Sequence, residues 1–324
     1  MTPEFSLIDR YFKRAAASPR RAVLGIGDDC ALIRATANCE LAVSTDTLVS
    51  GTHFFADANA EKLGHKALAV NLSDLAAMGA TPRYVMLALT LPTIDEPWLA
   101  AFSHGFFALA AEHRVELIGG DTTRGPLAMT LTIFGEVEAG RALRRDGAKA
   151  GDEVWISGTL GGAALALMHL QAKLALSQRA FVAVEDRLHR PTPRIQLGQA
   201  LLGVATAAID ISDGLLADLG HVCECSQLMA TLDRASIPMS PALLDVGADL
   251  GDACALAGGD DYELCFTAPA MQRARIEALA GTLSLPLTRI GSMLPHKEGA
   301  PLVMVLDEKR RDVTPAAAGY DQFA

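Results

Sequence analysis

The sequence has 324 residues, of which half are hydrophobic and only 5% are aromatic. This composition is typical of a globular enzyme and excludes disordered and fibrous proteins, while the length predicts two domains that can each bury a core. The net charge is −10, from 28 basic and 38 acidic residues. This charge argues against nucleic acid or an anionic membrane as the main partner, and it suits a protein that binds cations.

The sequence also predicts a cytoplasmic protein. The N-terminus has no basic segment followed by an apolar one, and no apolar run is long enough to span a bilayer. The six cysteines form no Cys-x-x-Cys pair, and Cys223 and Cys225 lie too close along a predicted helix to point the same way. We therefore expect reduced thiols that are mostly buried.

Hydrophobic periodicity predicts the elements of the first half. Helices are expected at 4–17, 59–78 and 96–113, and strands at 39–44, 84–91 and 127–138. The strand at 39–44 is expected to present Thr45 and Asp46 at its C-terminal end. The apolar residues 115–118 lead into Gly-Gly-Asp-Thr-Thr, which we interpret as a turn.

A polar, glycine-containing stretch at 141–152 is predicted to link one domain at 1–140 to a second at 153–324. The second half should contain strands at 154–157, 207–211 and 262–267 and a helix at 215–226. The glycine-rich turn at 158–162 lacks the sequence of a P-loop or of a dinucleotide-binding turn. We interpret it as a helix cap with little capacity to bind phosphate.

A small residue beside aspartate recurs along the chain, and this recurrence is the main functional signal. It is found in Gly27-Asp28-Asp29, Ser44-Thr45-Asp46, Ser73-Asp74, Gly119-Gly120-Asp121, Ser212-Asp213-Gly214 and Gly258-Gly259-Asp260-Asp261. Carboxylates beside glycines are suited to a Mg²⁺ ion that also binds substrate phosphates. Solvated turns and helix caps use the same residue types, so the pattern alone leaves both interpretations open.

The histidines and the basic residues give weaker evidence of function than the aspartate motifs do. His53 and His65 have no partner at zinc-ligand spacing, so a structural role or a substrate hydrogen bond is the better interpretation for each. Arginine can bind phosphate through two parallel hydrogen bonds. Among the arginines near the motifs, Arg124 and Arg144 are interpreted as surface charges.

Longer strings, in order along nearly the whole chain, carry a specific resemblance. They include Gly-Ile-Gly-Asp-Asp-Cys-Ala at 25–31, Ser-Thr-Asp-Thr-Leu-Val at 44–49, Leu-Ile-Gly-Gly-Asp-Thr-Thr-Arg-Gly-Pro at 117–126, Ser-Asp-Gly-Leu at 212–215 and Asp-Tyr-Glu-Leu-Cys-Phe at 261–266. Through them the sequence resembles the thiamine-monophosphate kinase family, within the aminoimidazole ribonucleotide synthetase-like superfamily.

The resemblance implies an α/β (α+β) chain with two domains in the aminoimidazole ribonucleotide synthetase-like fold. The N-terminal domain would bind ATP and Mg²⁺, and its mixed sheet would pair across a homodimer to form a shared barrel. The C-terminal α/β domain would close the active site. The implied activity is ATP-dependent phosphorylation of thiamine monophosphate to thiamine diphosphate, the last step of thiamine diphosphate biosynthesis, with several Mg²⁺ ions.

The resemblance also implies roles for individual residues. Those that would bind Mg²⁺ are Asp29, Ser44, Thr45, Asp46, Asp74, Asp121, Asp210 and Asp213. Those that would contact ATP are Gly120, Asp121, Arg145 and Ser212, and those that would contact thiamine phosphate are His53, Asp260 and Tyr320. The family usually has Glu at the position of Asp260, and the role of Asp28 stays open.

The implied chemistry needs no general base or nucleophile from the protein. A phosphate monoester has a second pKa of about 6, so the acceptor is largely dianionic at neutral pH. We therefore expect direct in-line transfer, with catalysis by positioning and charge neutralisation. The alternatives are a ligase like aminoimidazole ribonucleotide synthetase and a catalytically silent Mg²⁺ or nucleotide sensor; a nucleic-acid role has no support.

Overall fold

The fold is described from a computed structural model, for residues 4–13, 22–316 and 319–320, without the side chains of residues 4 and 5. The chain divides into two compact units. The first comprises the described residues of Met1–Leu75 with Ala80–Gly140, and the second comprises Ala76–Gly79 with the described residues of Arg141–Ala324. The second unit thus includes the predicted linker at 141–152, and the boundaries of the functional domains stay a prediction.

The elements before Gly140 begin with helix α1 (Glu4–Leu7), which continues as a π-helical turn, Ile8–Phe12. They go on with β1 (Cys39–Val49), α2 (Ala60–Ala77), β2 (Thr81–Leu91), α3 (Glu96–Glu112), β3 (Glu116–Arg124) and β4 (Ala128–Glu138). The predicted helices at 59–78 and 96–113 are confirmed to within one residue at each end. Residues 14–17 of the predicted first helix lie outside the described residues.

The strands of the first unit form a mixed sheet in the order β1-β4-β2-β3. Strand β4 pairs antiparallel with both β1 and β2, and β3 pairs parallel with β2. One face is apolar and carries the fully buried Met129, Leu131 and Ile133 of β4. The other face carries exposed hydroxyl groups, with Thr45 and Thr47 of β1 paired to threonines of β4. Strands β1 and β3 lie at opposite edges of this sheet.

One predicted strand end and one predicted turn lie within strands instead. Residues Ser44, Thr45 and Asp46 lie in the middle of β1, which pairs with β4 along all eleven residues. Residues 119–123 belong to β3 and pair with β2. Glycine and aspartate favour turns by local preference, but here pairing with distant strands overrides that preference.

The second unit contains β5 (Glu153–Ser157), α4 (Gly162–Leu170), α5 (Gln178–His189), α6 (Ile195–Ala200), β6 (Ala207–Asp210), α7 (Leu215–Ser226), β7 (Leu228–Asp233), α8 (Ala248–Ala257), β8 (Leu264–Ala268), α9 (Arg273–Leu283), β9 (Leu287–Pro295) and β10 (Val303–Leu306). Its strands form one sheet in the order β10-β7-β9-β5-β8-β6. Helix α7 has the predicted bounds. Strand β8 begins only at Leu264, so the segment 260–263 is irregular.

Every residue of β5, β6 and β8 is buried. Apolar side chains of these strands, among them Ile156, Ile209 and Cys265, pack with α4 and α7 in one core. The core therefore holds the C-terminal end of β6 and the start of α7 in fixed positions. The loop between them carries the Ser-Asp-Gly motif.

No helix within the described ranges is long and apolar enough to cross a membrane. All six cysteines are free, as expected. Cys223, Cys254 and Cys265 are buried, whereas Cys30 and Cys225 are exposed. The expectation that most thiols are buried is therefore met by only half of them.

Candidate active site

The first group of predicted ligands that the structure brings together joins β1 to α2. Ser44 and Asp46 alternate with Thr45 along β1, so both side chains point to the face on which Asp74 of α2 lies. The hydroxyl of Ser44 donates a hydrogen bond to Asp74 Oδ2, and the carboxyl groups of Asp46 and Asp74 are hydrogen-bonded to each other. Burial and the neighbouring charge of Asp74 raise the pKa of Asp46 to about 7.

This cluster, Ser44, Asp46 and Asp74, fits a magnesium ion. It offers two carboxylates and a hydroxyl, and Mg²⁺ commonly takes one or two carboxylates with waters and phosphate oxygens. A cation also relieves the repulsion between the two carboxylates. Among the residues described, no three His, Cys, Asp or Glu side chains lie close enough together to hold a metal. Waters and phosphate oxygens would complete the coordination of such an ion.

Gly120 and Asp121 lie on β3, away from this cluster. Gly120 has a φ of 147°, and a Cβ there would overlap the carbonyl oxygen of Leu87, so only glycine fits. Strand pairing places Asp46 and Gly120 in one row across the sheet. Because neighbouring side chains alternate, the exposed Asp121 points to the opposite face from Asp46.

The separation between Asp46 and Asp121 is large. Their strands are the two edges of the sheet, roughly 14 Å apart at three strand spacings of about 4.8 Å. Two oxygen ligands of one Mg²⁺ ion lie at most about 4 Å apart, since each is about 2.1 Å from the metal. One copy of the first unit therefore does not bring these two residues to a single ion. Thr45 and Asp121 lie on the same face, the one with the exposed hydroxyl groups, which we call the open face. They lie at opposite edges of the sheet.

Asp29 and His53 are placed by local contacts. Asp29 is exposed, and its backbone N–H donates to Asp28 Oδ1 at 2.9 Å, so Asp28 caps the turn. The Nδ1 of His53 accepts a hydrogen bond from the backbone of Val49 at 3.0 Å. An accepting Nδ1 leaves the ring proton on Nε2. His53 can therefore donate to an anionic group.

A second group of predicted site residues meets at the loop between β6 and α7. The carbonyl of Ser212 accepts from the backbone N–H of Asp260 at 2.8 Å, and the carbonyl of Asp213 accepts from that of Tyr320 at 2.9 Å. Asp210 is buried at the end of β6. Residues predicted to bind metal, ATP and substrate are thus joined by backbone hydrogen bonds within the second unit.

Asp213 lies in a mixed electrostatic environment. Burial raises the pKa of its carboxyl group, His221 lowers it and Asp260 raises it. Asp213 and Asp260 therefore repel each other, as Asp46 and Asp74 do. A cation bound beside them would relieve this repulsion too.

Asp218 is a positioning residue that the sequence analysis missed. Its Oδ2 accepts hydrogen bonds from the backbone N–H groups of Ser212, Asp213 and Gly214 at 3.0, 3.1 and 3.0 Å. Burial raises the pKa of this carboxyl group to about 7. The available signal was an acidic residue in the first turn of a helix that follows a Ser-Asp-Gly loop. Asp218 fixes the loop that carries one predicted metal ligand, Asp213, and one predicted ATP contact, Ser212.

A buried ionic group follows Asp260 in the chain, and the sequence did not predict it. Glu263 is fully buried and accepts from Arg187 at 2.8 Å, from Arg194 at 2.7 Å and from Ser157 at 2.6 Å. Asp261 accepts from the backbone N–H of Gly161 at 2.7 Å. The start of α4 thus holds a carboxylate of the protein itself.

Arg145 is exposed in a single 3₁₀ turn, Arg145–Gly147. Its carbonyl accepts from the hydroxyl of Ser226 at 2.8 Å, which anchors the turn to the end of α7. The neighbouring Arg144 is paired with Asp146 through contacts of 2.9 and 2.5 Å. Of these two arginines, Arg145 is therefore the one with a guanidinium group outside that ion pair.

Comparison with known proteins identifies the family. Residues 27–137 match the model described as AIR synthase related protein, N-terminal domain. The thiamine-monophosphate kinase of Salmonella typhimurium is 50% identical over 328 residues, covering 99% of this chain and 98% of that protein. The chain belongs to the thiamine-monophosphate kinase family.

Solved structures agree with membership of the thiamine-monophosphate kinase family. The crystal structure of the enzyme from Stenotrophomonas maltophilia K279a has a TM-score of 0.84 and 50% identity, covering 93% of this chain and 96% of that one. AaThiL, solved in a complex with AMPPCP and TMP, has a TM-score of 0.76 and 28% identity, with 89% of each chain covered. The predicted family and the predicted aminoimidazole ribonucleotide synthetase-like α/β fold are thereby confirmed.

The loop at Asp218 gives a prediction that is independent of catalysis. Replacing Asp218 with Ala removes three hydrogen bonds to a carboxylate, each contributing about 1 to 3 kcal/mol. We expect the amide protons of residues 212–214 to exchange with solvent at least about tenfold faster, measured by hydrogen exchange and mass spectrometry.

Asp152→Ala is the matched control, since Asp152 is equally buried and also accepts from a backbone N–H, that of Lys149. It should leave exchange at 212–214 unchanged. Equal exchange at these residues in wild type and Asp218→Ala would show that the carboxylate does not hold the loop.

Proposed function

We propose that this protein transfers the γ-phosphoryl group of ATP to the phosphate of thiamine monophosphate, which forms thiamine diphosphate and ADP. The observation that carries the proposal is the cluster of Ser44, Asp46 and Asp74, whose carboxylates are held together at the surface of one sheet. Family membership and the complex of AaThiL with AMPPCP and TMP support it. We interpret that TMP as thiamine monophosphate.

Magnesium ions are the cofactor that this proposal requires. The candidate ligands in the first unit are Asp29, Ser44, Thr45, Asp46, Asp74 and Asp121, and those in the second unit are Asp210 and Asp213. Bound Mg²⁺ would neutralise phosphate charge and so reduce the repulsion between ATP and the second phosphate ester. The carboxylates would hold the ions, and Ser44 orients Asp74 by its hydrogen bond.

The remaining contacts position the two substrates. We propose that Gly120, Arg145 and Ser212 bind ATP and that His53, Asp260 and Tyr320 bind thiamine monophosphate. The Nε2 proton of His53 suits an anionic phosphate oxygen. The carboxylate of Asp260 suits the cationic thiazolium ring.

The transfer itself needs no group on the protein to accept a proton. An oxygen of the dianionic acceptor forms the new bond to the γ-phosphorus, and the bond from that phosphorus to the β,γ-bridging oxygen breaks. ADP leaves with the bond's electron pair. The protein's part is to align acceptor, phosphorus and leaving group, which is the main source of rate in phosphoryl transfer.

We test this function by phosphorus NMR of the purified protein with ATP, Mg²⁺ and thiamine monophosphate. Thiamine diphosphate and ADP should form in equal amounts, and omission of Mg²⁺ should stop the reaction. ATP binding without product would refute the kinase assignment and favour a ligase or a silent nucleotide sensor. Asp74→Asn should lower kcat by at least about 100-fold, whereas Glu112→Gln, at an exposed position on α3, should have no effect.

We further propose that the active protein is a homodimer in which each nucleotide site is completed by the other copy. In one chain, Asp46 and Asp121 lie on opposite edge strands and opposite faces of the sheet. The family resemblance implies that the first units pair so that their sheets form a shared barrel, and we propose that the β1 edge of one copy then meets the β3 edge of its partner. Asp121 of the partner would then lie on the strand next to Asp46, across the sheet edge, where it would add a carboxylate to the same nucleotide site. The open face, with the exposed Leu41, Val43 and Met86, suits burial in such a dimer.

Subunit complementation tests this arrangement. Asp46→Asn and Asp121→Asn should each be inactive alone, but a mixed dimer, isolated through two different tags, should regain about half of wild-type activity because one site then has both native residues. A mixed dimer of Asp46→Asn and Asp74→Asn should stay inactive, since these two residues meet within one chain. An inactive Asp46→Asn and Asp121→Asn mixed dimer would refute the shared site.

A cytoplasmic location is also proposed. Both substrates are intracellular phosphate esters, and six free thiols suit a reducing compartment.

A further inference from the structure

The segment before β8 has an unusual backbone. Asp260 has a φ of 68° and Tyr262 a φ of 49°, so two residues with side chains occupy the left-handed region. That region is sterically unfavourable for residues other than glycine. Such a conformation persists only where the surroundings fix it, and it is frequent at functional sites.

Hydrogen bonds on both sides of the segment fix it. The backbone N–H groups of Asp260 and Tyr262 donate to the carbonyls of Ser212 and Ile211, both at 2.8 Å. Between them, the carbonyl of Asp261 accepts from Arg187 at 3.3 Å. The segment is therefore held against the Ser212 loop over its whole length.

This backbone brings the side chains of Asp260 and Tyr262 together. The ring of Tyr262 is buried, with only 9% of the residue exposed. Its hydroxyl donates to Asp260 Oδ1 at 3.1 Å. In an ordinary strand, side chains two residues apart share a face without touching. Here the left-handed backbone brings the phenol hydroxyl into contact with the carboxylate. One oxygen of Asp260 is thereby held in a fixed direction.

We propose that Tyr262 is a positioning residue that orients the carboxylate of Asp260 toward thiamine monophosphate. This inference rests on the proposed function and deepens it. The cation of the substrate interacts best with a carboxylate that is already oriented, because no rotamer freedom is then lost on binding. The hydroxyl of Tyr262 fixes the short side chain of Asp260.

The proposal distinguishes Tyr262 from a residue that only fills the core. Loss of a packing residue would lower stability and affect both substrates. Loss of an orienting hydroxyl should affect only the substrate that Asp260 meets. Tyr262→Phe removes the hydroxyl and keeps the ring, so it separates these two roles.

We expect Tyr262→Phe to raise the KM for thiamine monophosphate about three- to tenfold, the effect of losing one hydrogen bond to a charged group. The KM for ATP and the thermal unfolding midpoint should stay unchanged. Tyr11→Phe is the matched control, since Tyr11 is also 9% exposed and its hydroxyl donates to Glu96 at the same 3.1 Å. It should change neither KM.

A double-mutant cycle with Asp260→Ala completes the test. Asp260→Ala should raise the KM for thiamine monophosphate, and adding Tyr262→Phe should have no further effect. Equal changes in both KM values, an unchanged KM in Tyr262→Phe, or additive effects in the double variant would overturn the inference. An unchanged KM in Asp260→Ala would show that Asp260 does not contact thiamine monophosphate, and this too would overturn the inference. A wild-type protein that does not phosphorylate thiamine monophosphate would overturn the proposed function and this inference together.

Discussion

The contact between Asp46 and Asp74 is the interaction on which the account depends. A strand and a helix of the first unit hold two carboxyl groups together, and burial with mutual repulsion raises the pKa of Asp46 to about 7. A shared proton or a cation is needed to make this arrangement stable. The fold therefore maintains a position that favours a divalent ion, and Ser44 contributes a third oxygen. The stabilising energy comes from the buried face of the sheet, not from the site.

The order of the strands determines which of the predicted ligands one chain can bring together. With β1 and β3 at opposite edges, the predicted ligands of the first unit fall into two separate places. In the second unit, by contrast, Ser212, Asp213, Asp260 and Tyr320 are joined by backbone hydrogen bonds around one loop. The proposed sharing of a site across a dimer would reconcile the first observation with the resemblance to the family. In the second unit, Asp218 and Tyr262 each fix a group to which the proposed chemistry assigns a role.

The sequence predicted those parts of the fold that depend on local periodicity. Helices α2, α3 and α7 were located to within a residue because their apolar spacing and terminal residues agree. The lengths of β1 and β3 were not predicted, since pairing with distant strands overrides the turn preference of Gly120 and Asp46. The residues of the candidate site were taken from motifs and from the family resemblance, and their roles stay a prediction. Asp218 and Tyr262 were missed because their hydrogen bonds depend on irregular loops.

The chemistry follows from charge more than from reactive side chains. The acceptor phosphate is already a nucleophile. The tasks left to the protein are to align the two substrates and to neutralise the charge of their phosphates. A phosphorylated intermediate on the protein has no place in it. The route of the phosphoryl group is thus the central claim.

The most direct test of that claim is the stereochemical course of transfer. ATP made chiral at the γ-phosphorus with oxygen isotopes would be used to phosphorylate thiamine monophosphate, and the configuration of the transferred group determined. A single in-line displacement predicts inversion. Retention would require two displacements and a covalent phosphoenzyme, and it would contradict the account.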